Sequence, residues 1–178
     1  NKFDFAKEHI QGSINIQGNN SFATWCGWIL NYEEQFILVS EEGQMEDLTR
    51  KLMRIGLDNI LGYVDDITSL GAKTQSSEII DIEEFKSDIG KDDVQIVDVR
   101  GESEYKTGHI KGADNVFVGT LEKDLDKIDK NKEVVIHCQS GDRSAIAQSL
   151  LSKNGIRVKN YSAGMKEWKE KGNEVVKE

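Results

Sequence analysis

The chain has 178 residues, 37% hydrophobic and 31% charged, with a formal net charge of -9. That length permits one ordinary domain or two small ones. The acidic balance, with no basic stripe, excludes non-specific nucleic-acid binding. No apolar run approaches the roughly 20 residues of a membrane span, so no membrane partner is expected.

Residues 1–5 carry no apolar signal core. Without a signal peptide the expected compartment is the cytosol, where thiols stay reduced. Cys26 and Cys138 form neither a C-x-x-C pair nor a zinc pattern. His9, His109 and His137 are far apart and sit in no metal-binding run. No metal site and no cofactor are therefore expected in this chain.

From the N-terminus, residues 5–16 line up with residues 105–116: His9 with His109, Ile10 with Ile110, Gly12 with Gly112 and Asn15 with Asn115, at an offset of 100. The next segment, Phe22-Ala23-Thr24-Trp25-Cys26-Gly27-Trp28, holds a cysteine expected to pack in a core, as free cysteine usually does. Residues 36–40 then line up with 134–138 at an offset of 98, which sets Ser40 on Cys138 and Gly43 on Gly141. Gly56 falls on Gly155. Three matches in order point to two copies of one domain, with a period too long for a solenoid. The small, polar residues 71–77 mark the join. The expected domains are residues 1–73 and 74–178.

The second copy begins at residues 79–85 and has an apolar strand at residues 94–97, followed by Asp98-Val99-Arg100. The first copy has no counterpart of that strand. A sheet lacking a strand exposes a core, so the chain is expected to be a fragment, or to take that strand from elsewhere. Further strands are expected at residues 134–137 and 156–161. Between them, residues 143–153 place Ile146, Ala147, Leu150 and Leu151 on one helical stripe, and Asn154-Gly155 supplies the stop. Strands alternating with helices predict an α/β fold in which each copy has a mostly parallel central sheet flanked by helices. Ligands in such folds sit beyond the carboxyl ends of the strands, which is where Cys138 falls.

Cys138-Gln139-Ser140-Gly141-Asp142-Arg143 bridge a strand end and a helix. Gly141 lets the backbone turn, such a turn can aim N–H groups inward as an anion nest, and the helix adds the positive end of its dipole. Both favour the thiolate, which is the nucleophile. Arg143 adds a fixed positive charge nearby. Ser140 is the other candidate nucleophile, but no base is placed to activate it. Adjacent strand residues face opposite ways, so His137 is read as a supporting residue.

Asp98-Val99-Arg100, Glu104-Tyr105, Gly108-His109-Ile110, Gly112-Ala113, Asn115, His137 to Arg143, Tyr161-Ser162-Ala163-Gly164-Met165 and Trp168 together resemble a rhodanese domain over residues 79–172. The resemblance implies a sulfurtransferase whose catalytic Cys138 alternates between thiolate and persulfide. It is loaded by thiosulfate or a low-molecular-weight persulfide and unloaded by a thiol or cyanide. It also implies that Asp98 and Arg100 tie the first strand's end to nearby loops, that His109 shapes the loop after a helix, and that Tyr161 and Trp168 pack the core. Related phosphatases use a Cys-x5-Arg loop. The shorter Cys-x4-Arg here favours sulfur over phosphate or arsenate chemistry. Gln139 and Asp142 weigh against a dianionic donor, so a persulfide, or one delivered by a partner domain, is as well supported as thiosulfate.

The first copy carries Ser40-Glu41-Glu42-Gly43-Gln44-Met45 where the second has its cysteine loop, and is expected to be inactive in sulfur transfer. Phe22 to Trp28 ahead of a rhodanese domain resemble the C-terminal part of metallo-β-lactamase-fold proteins fused to tandem rhodaneses. That resemblance implies a metal-binding, persulfide-oxidising domain upstream of Asn1. The competing reading is a non-catalytic oligomerisation or docking part of such a protein, with a homo-oligomer as its assembly.

Overall fold

The computed structural model describes residues 1–178. The N-terminal half runs α1 (Lys2–Lys7), β1 (His9–Ile10), α2 (Phe22–Ile29), β2 (Phe36–Val39), α3 (Glu42–Met53), β3 (Ile60–Val64) and β4 (Thr74–Gln75). The second half runs β5 (Glu78–Ile79), α4 (Ile82–Asp88), β6 (Val94–Asp98), α5 (Glu102–Thr107), β7 (Asp114–Asn115), β8 (Glu133–His137), α6 (Asp142–Lys153), β9 (Val158–Tyr161) and α7 (Gly164–Glu170). No helix is long and apolar enough to cross a membrane.

The second half is built on a wholly parallel sheet in the order β5-β9-β8-β6-β7. Parallel sheets are covered on both faces, and the central strand shows why β8 is an unbroken apolar run: Val134, Val135 and Ile136 are all fully buried. On one face, Val134 and Ile136 pack against Ile146, Ala147, Leu150 and Leu151, the expected stripe of α6. On the other, Val135 meets Phe85, Tyr161, Met165 and Trp168 from α4, β9 and α7. Phe85 stacks on Tyr161 at 4.3 Å between ring centroids. The strand expected from residue 156 starts at Val158 instead. Ile156 still belongs to the end of α6, because its N–H closes the helix on the Leu151 carbonyl at 3.0 Å.

The N-terminal half has local features in common with the second. The Phe5 and His9 rings stack at 3.9 Å, as Tyr105 and His109 do at 3.7 Å. Each imidazole Nδ1 lies against the backbone carbonyl of that aromatic residue, at 2.7 Å and 3.0 Å. His9 pairs antiparallel with Gln75 in β4, and His109 pairs antiparallel with Val176. Its parallel sheet, however, has only β2 and β3. Side chains alternate between the two faces of a strand, and one face of this pair is uncovered, so Ile37, Val39, Leu61 and Tyr63 remain exposed.

One expected correspondence is corrected. Gly43 does not stand for Gly141: it lies inside α3, whereas Gly141 precedes α6 with φ +96°. Val39 leads to a helix starting at Glu42, but His137 leads to one starting at Asp142. The N-terminal loop is thus two residues shorter, which is why the offset changes from 98 at the strand to 100 at the helix.

The join near residue 73 is not a gap between bodies. β4 still pairs with β1, and the Ser77 N–H donates to the Ala6 carbonyl at 2.9 Å. Trp25 sits in the core of the second half beside Val97, Val116 and Cys138. The Asn15 N–H donates to Ser149 Oγ on α6 at 3.0 Å.

Candidate functional site

Cys138 follows β8 at the carboxyl end of the sheet and precedes α6. Two glycines hold its loop between α6 and the first turn of α7. A Cβ on Gly141 would lie 2.3 Å from the Ser162 carbonyl oxygen, and one on Gly164 would lie 2.3 Å from the Cys138 carbonyl oxygen. The close approach lets the Met165 and Lys166 N–H groups donate to the Cys138 and Gln139 carbonyls, at 2.9 Å and 3.0 Å. The loop then turns the Gly141 N–H onto Cys138 Sγ at 3.1 Å. A donor N–H on the sulfur, at the N-terminus of a twelve-residue helix, favours negative charge there.

The charged side chains of the loop differ from a free positive charge beside the sulfur. Arg143 is held by both carboxylate oxygens of Glu104 on α5, at 2.5 Å and 2.9 Å. The guanidinium in turn keeps the Glu104 carboxyl below the usual carboxylate range. Asp142 accepts from Lys2 Nζ at 2.8 Å and from Asn19 Nδ2 at 3.1 Å, both from the N-terminal half. Each loop charge is therefore already balanced.

A cavity of about 350 Å³ opens over the sulfur. Its floor is Cys138, Gln139 and Ser140 with Asp142 and Arg143 at the side, and its opposite wall is Asn19, Ser21, Trp25 and Trp28 of the N-terminal half. Trp28 also packs edge-on against Phe117 at 5.1 Å. A larger cavity of about 680 Å³ over residues 125–131 has no cysteine, histidine or serine in its lining.

Asp98 and Arg100 lie below the loop and touch neither the sulfur nor the cavity. Both are buried, Arg100 grips Asp98 through Nε and an Nη at 2.6–2.9 Å, and it also donates to the Gly108 carbonyl at 2.9 Å. Burial alone would raise the Asp98 carboxyl, but the His137 ring, charged in the acid range where Asp98 titrates, and the Arg100 guanidinium hold it below its ordinary range. His137 is wholly buried and desolvation lowers its pKa, so at neutral pH the ring is uncharged and Arg100 is the counter-charge of Asp98. With its Nδ1 turned to the Cys138 carbonyl at 3.4 Å, His137 is not placed as a base for the sulfur. His109 is stacked on Tyr105, away from the loop.

This arrangement meets the comparisons with known proteins. The rhodanese-like domain family matches residues 81–171, more than half of the chain. The chain belongs to the rhodanese-like family. The YrkF protein of Bacillus subtilis is 36% identical over 91 residues, a match covering 50% of this chain and 49% of that one. The chain thus spans about half the length of that relative. A thiosulfate sulfurtransferase of Coxiella burnetii is 32% identical over 82 residues, covering 46% of this chain and 77% of the relative. In fold alone, the crystal structure of a thiosulfate sulfurtransferase from Pseudomonas aeruginosa superposes over 98% of this chain and 38% of its own, with a TM-score of 0.51 at 16% identity.

Within this rhodanese-like frame the structure brings residues 138–143 together on one loop. It adds five residues that sequence reasoning missed: Lys2, Asn19, Ser21, Trp25 and Trp28. No local pattern marks them, because they reach the loop across more than a hundred positions of chain. Cys26 lies on α2 in the N-terminal core beside Phe22, Leu48 and Leu52. Burial pushes its thiol up to about 12, so it is protonated and inert at neutral pH.

Proposed function

We propose that this rhodanese-like chain is a sulfurtransferase in which Cys138 carries one sulfane sulfur from a small donor to a thiol or cyanide acceptor. The carrying observation is the Gly141 N–H set on Cys138 Sγ at the floor of the cavity that the two halves enclose. The sulfur attacks the outer sulfur of R–S–S⁻. The donor S–S bond breaks, a new S–S bond forms on Cys138, and R–S⁻ leaves. An acceptor thiolate then takes the same sulfur and returns the Cys138 thiolate. No net oxidation occurs, and the charge is conserved in each step.

Thiosulfate would deliver the same atom and release sulfite. With Arg143 spent on Glu104 and Asp142 balanced by Lys2, no uncompensated cation faces the cavity. That favours a low-molecular-weight persulfide, free or delivered by a partner domain, over the dianion. The name of the Coxiella relative keeps thiosulfate as the second donor to test.

The N-terminal half is read as a second, degenerate copy without sulfur chemistry. The paired His9 and His109 arrangements support the repeat. Ser40 and a loop two residues shorter support the loss of activity. Mass spectrometry after treatment with glutathione persulfide or thiosulfate should find one added sulfur on Cys138. Cys138→Ser should abolish transfer, and retention of full activity in that variant would sink the reading. The alternative, a docking or oligomerisation platform, draws support from the exposed Ile37, Val39, Leu61 and Tyr63. It gains if neither donor loads Cys138 and the chain self-associates in sedimentation.

A further inference from the structure

Lys2 reaches the cysteine loop from the first turn of α1. Its Nζ donates to the Ser140 carbonyl oxygen at 2.7 Å and to Asp142 Oδ1 at 2.8 Å. The side chain is only 16% exposed, which is unusual for lysine, and its backbone N–H is fixed by Gln17 Oε1 at 3.1 Å. The ammonium lies so close over Gly141 that a Cβ there would be 2.8 Å from Nζ.

Ser140 C=O and Gly141 N–H belong to one peptide unit, and no peptide bond in the chain is cis. In a trans peptide the carbonyl and the N–H point in opposite directions. Holding the carbonyl on the Lys2 side therefore aims the N–H at the other side, where Cys138 Sγ waits at 3.1 Å.

We infer that Lys2 of the N-terminal half is a positioning residue for sulfur transfer: it orients the Ser140–Gly141 peptide so that its N–H supports the negative charge on Cys138 or on its persulfide. The inference rests on the reading that Cys138 carries sulfur. Lys2 does a second job in the same contact by neutralising Asp142, whose carboxylate would otherwise oppose an anionic donor. The degenerate half is then a working wall of the site rather than an appendage.

The test uses the full chain and compares Lys2→Met, Lys2→Arg, Lys2→Met/Asp142→Asn and Lys7→Met. Lys7 is a highly exposed lysine on the same helix that bonds nothing in the loop, so it reports general damage to α1. Loading of Cys138 by glutathione persulfide is followed by mass spectrometry, with melting temperature measured alongside. Losing one charge-assisted hydrogen bond should slow loading on the order of tenfold in Lys2→Met. The donor KM should rise in Lys2→Met, where Asp142 is left unbalanced, and return in the double variant, while Lys2→Arg should recover most of the rate and Lys7→Met should load as wild type. In the double variant loading should stay slow, because removing the Asp142 charge does not restore the peptide's orientation. A wild-type rate in Lys2→Met overturns the inference. So does full recovery in the double variant, or a loss that Lys2→Arg leaves uncorrected and that tracks a lowered melting temperature. The rate of Cys138 alkylation by iodoacetamide reads the same contact without a donor. If the wild-type chain takes up no sulfur while Lys2→Met still slows alkylation, the sulfurtransferase reading fails and the positioning role stands.

Discussion

His137 lies one residue before the nucleophile, yet its chemistry is that of the core. Its ring packs edge-on to Phe85 at 5.8 Å, and Nε2 is buried without a hydrogen-bond partner, 4.0 Å from Asp98 Oδ2. Desolvation lowers its pKa in the folded chain, and does the same for His9. As pH falls below about 6.5 the unfolded chain therefore takes up protons that the folded chain refuses, and stability drops. Asp98 works in the other window. Its depressed carboxyl contributes above the unfolded carboxylate value of about 3.9, and that contribution is lost only as pH falls through its lower folded value. Between about pH 7 and 5 the histidines alone should set the slope. Melting temperature should therefore decline over that range, and His137→Asn should flatten part of the decline, leaving the share of His9. An equal slope in wild type and His137→Asn would remove this account of the buried ring.

Two helices in matching positions of the halves hold the two charged residues of the loop: α5 offers Glu104 to Arg143, and α1 offers Lys2 to Asp142. α2 completes the enclosure with Trp25 and Trp28. Trp25 is buried in the shared core, but Trp28 is 43% exposed and free to meet a ligand's organic part. Trp28→Ala should thus raise the KM for an organic persulfide by roughly 5–10-fold, the value of about 1 kcal/mol of aromatic contact. It should leave thiosulfate nearly unaffected, since that donor has no group to place against an indole. Equal changes for both donors in steady-state kinetics would mean that Trp28 only shapes the wall. The elements differ in how far sequence revealed them. The run of β8, the stripe of α6 and the turn at Gly141 were legible because periodicity and glycine chemistry are local. The clamp by Lys2 was not, since nothing near Lys2 or Asp142 marks a partner 140 positions away. The shortened N-terminal loop was not legible: the matches run at offsets of 100, 98 and 99 along the chain, and aligning Gly43 with Gly141 by residue type hid the two-residue loss after β2.

At the scale of the molecule, Trp25 joins the N-terminal half to the core of the second half, yet the halves differ in how completely their sheets are covered. In the second half every residue of the central strand from Val134 to His137 is buried, while in the N-terminal half β2 and β3 alternate partly buried and exposed positions. Leu61 is 62% exposed and Tyr63 58% exposed, so neither stabilises the fold much through burial. They do present apolar surface beside the unpaired edge of β2, a combination that favours association with another chain or segment. The two properties can be separated by experiment. Leu61→Lys removes apolar surface and adds charge without opening a cavity, so the unfolding free energy should stay within about 0.5 kcal/mol of wild type. Sulfur loading at Cys138, whose cavity Leu61 does not line, should be unchanged. Self-association in sedimentation should fall if this surface drives it. A variant that unfolds would instead mean that Leu61 is held by contacts within the chain, and an unaltered sedimentation profile would place any assembly surface elsewhere.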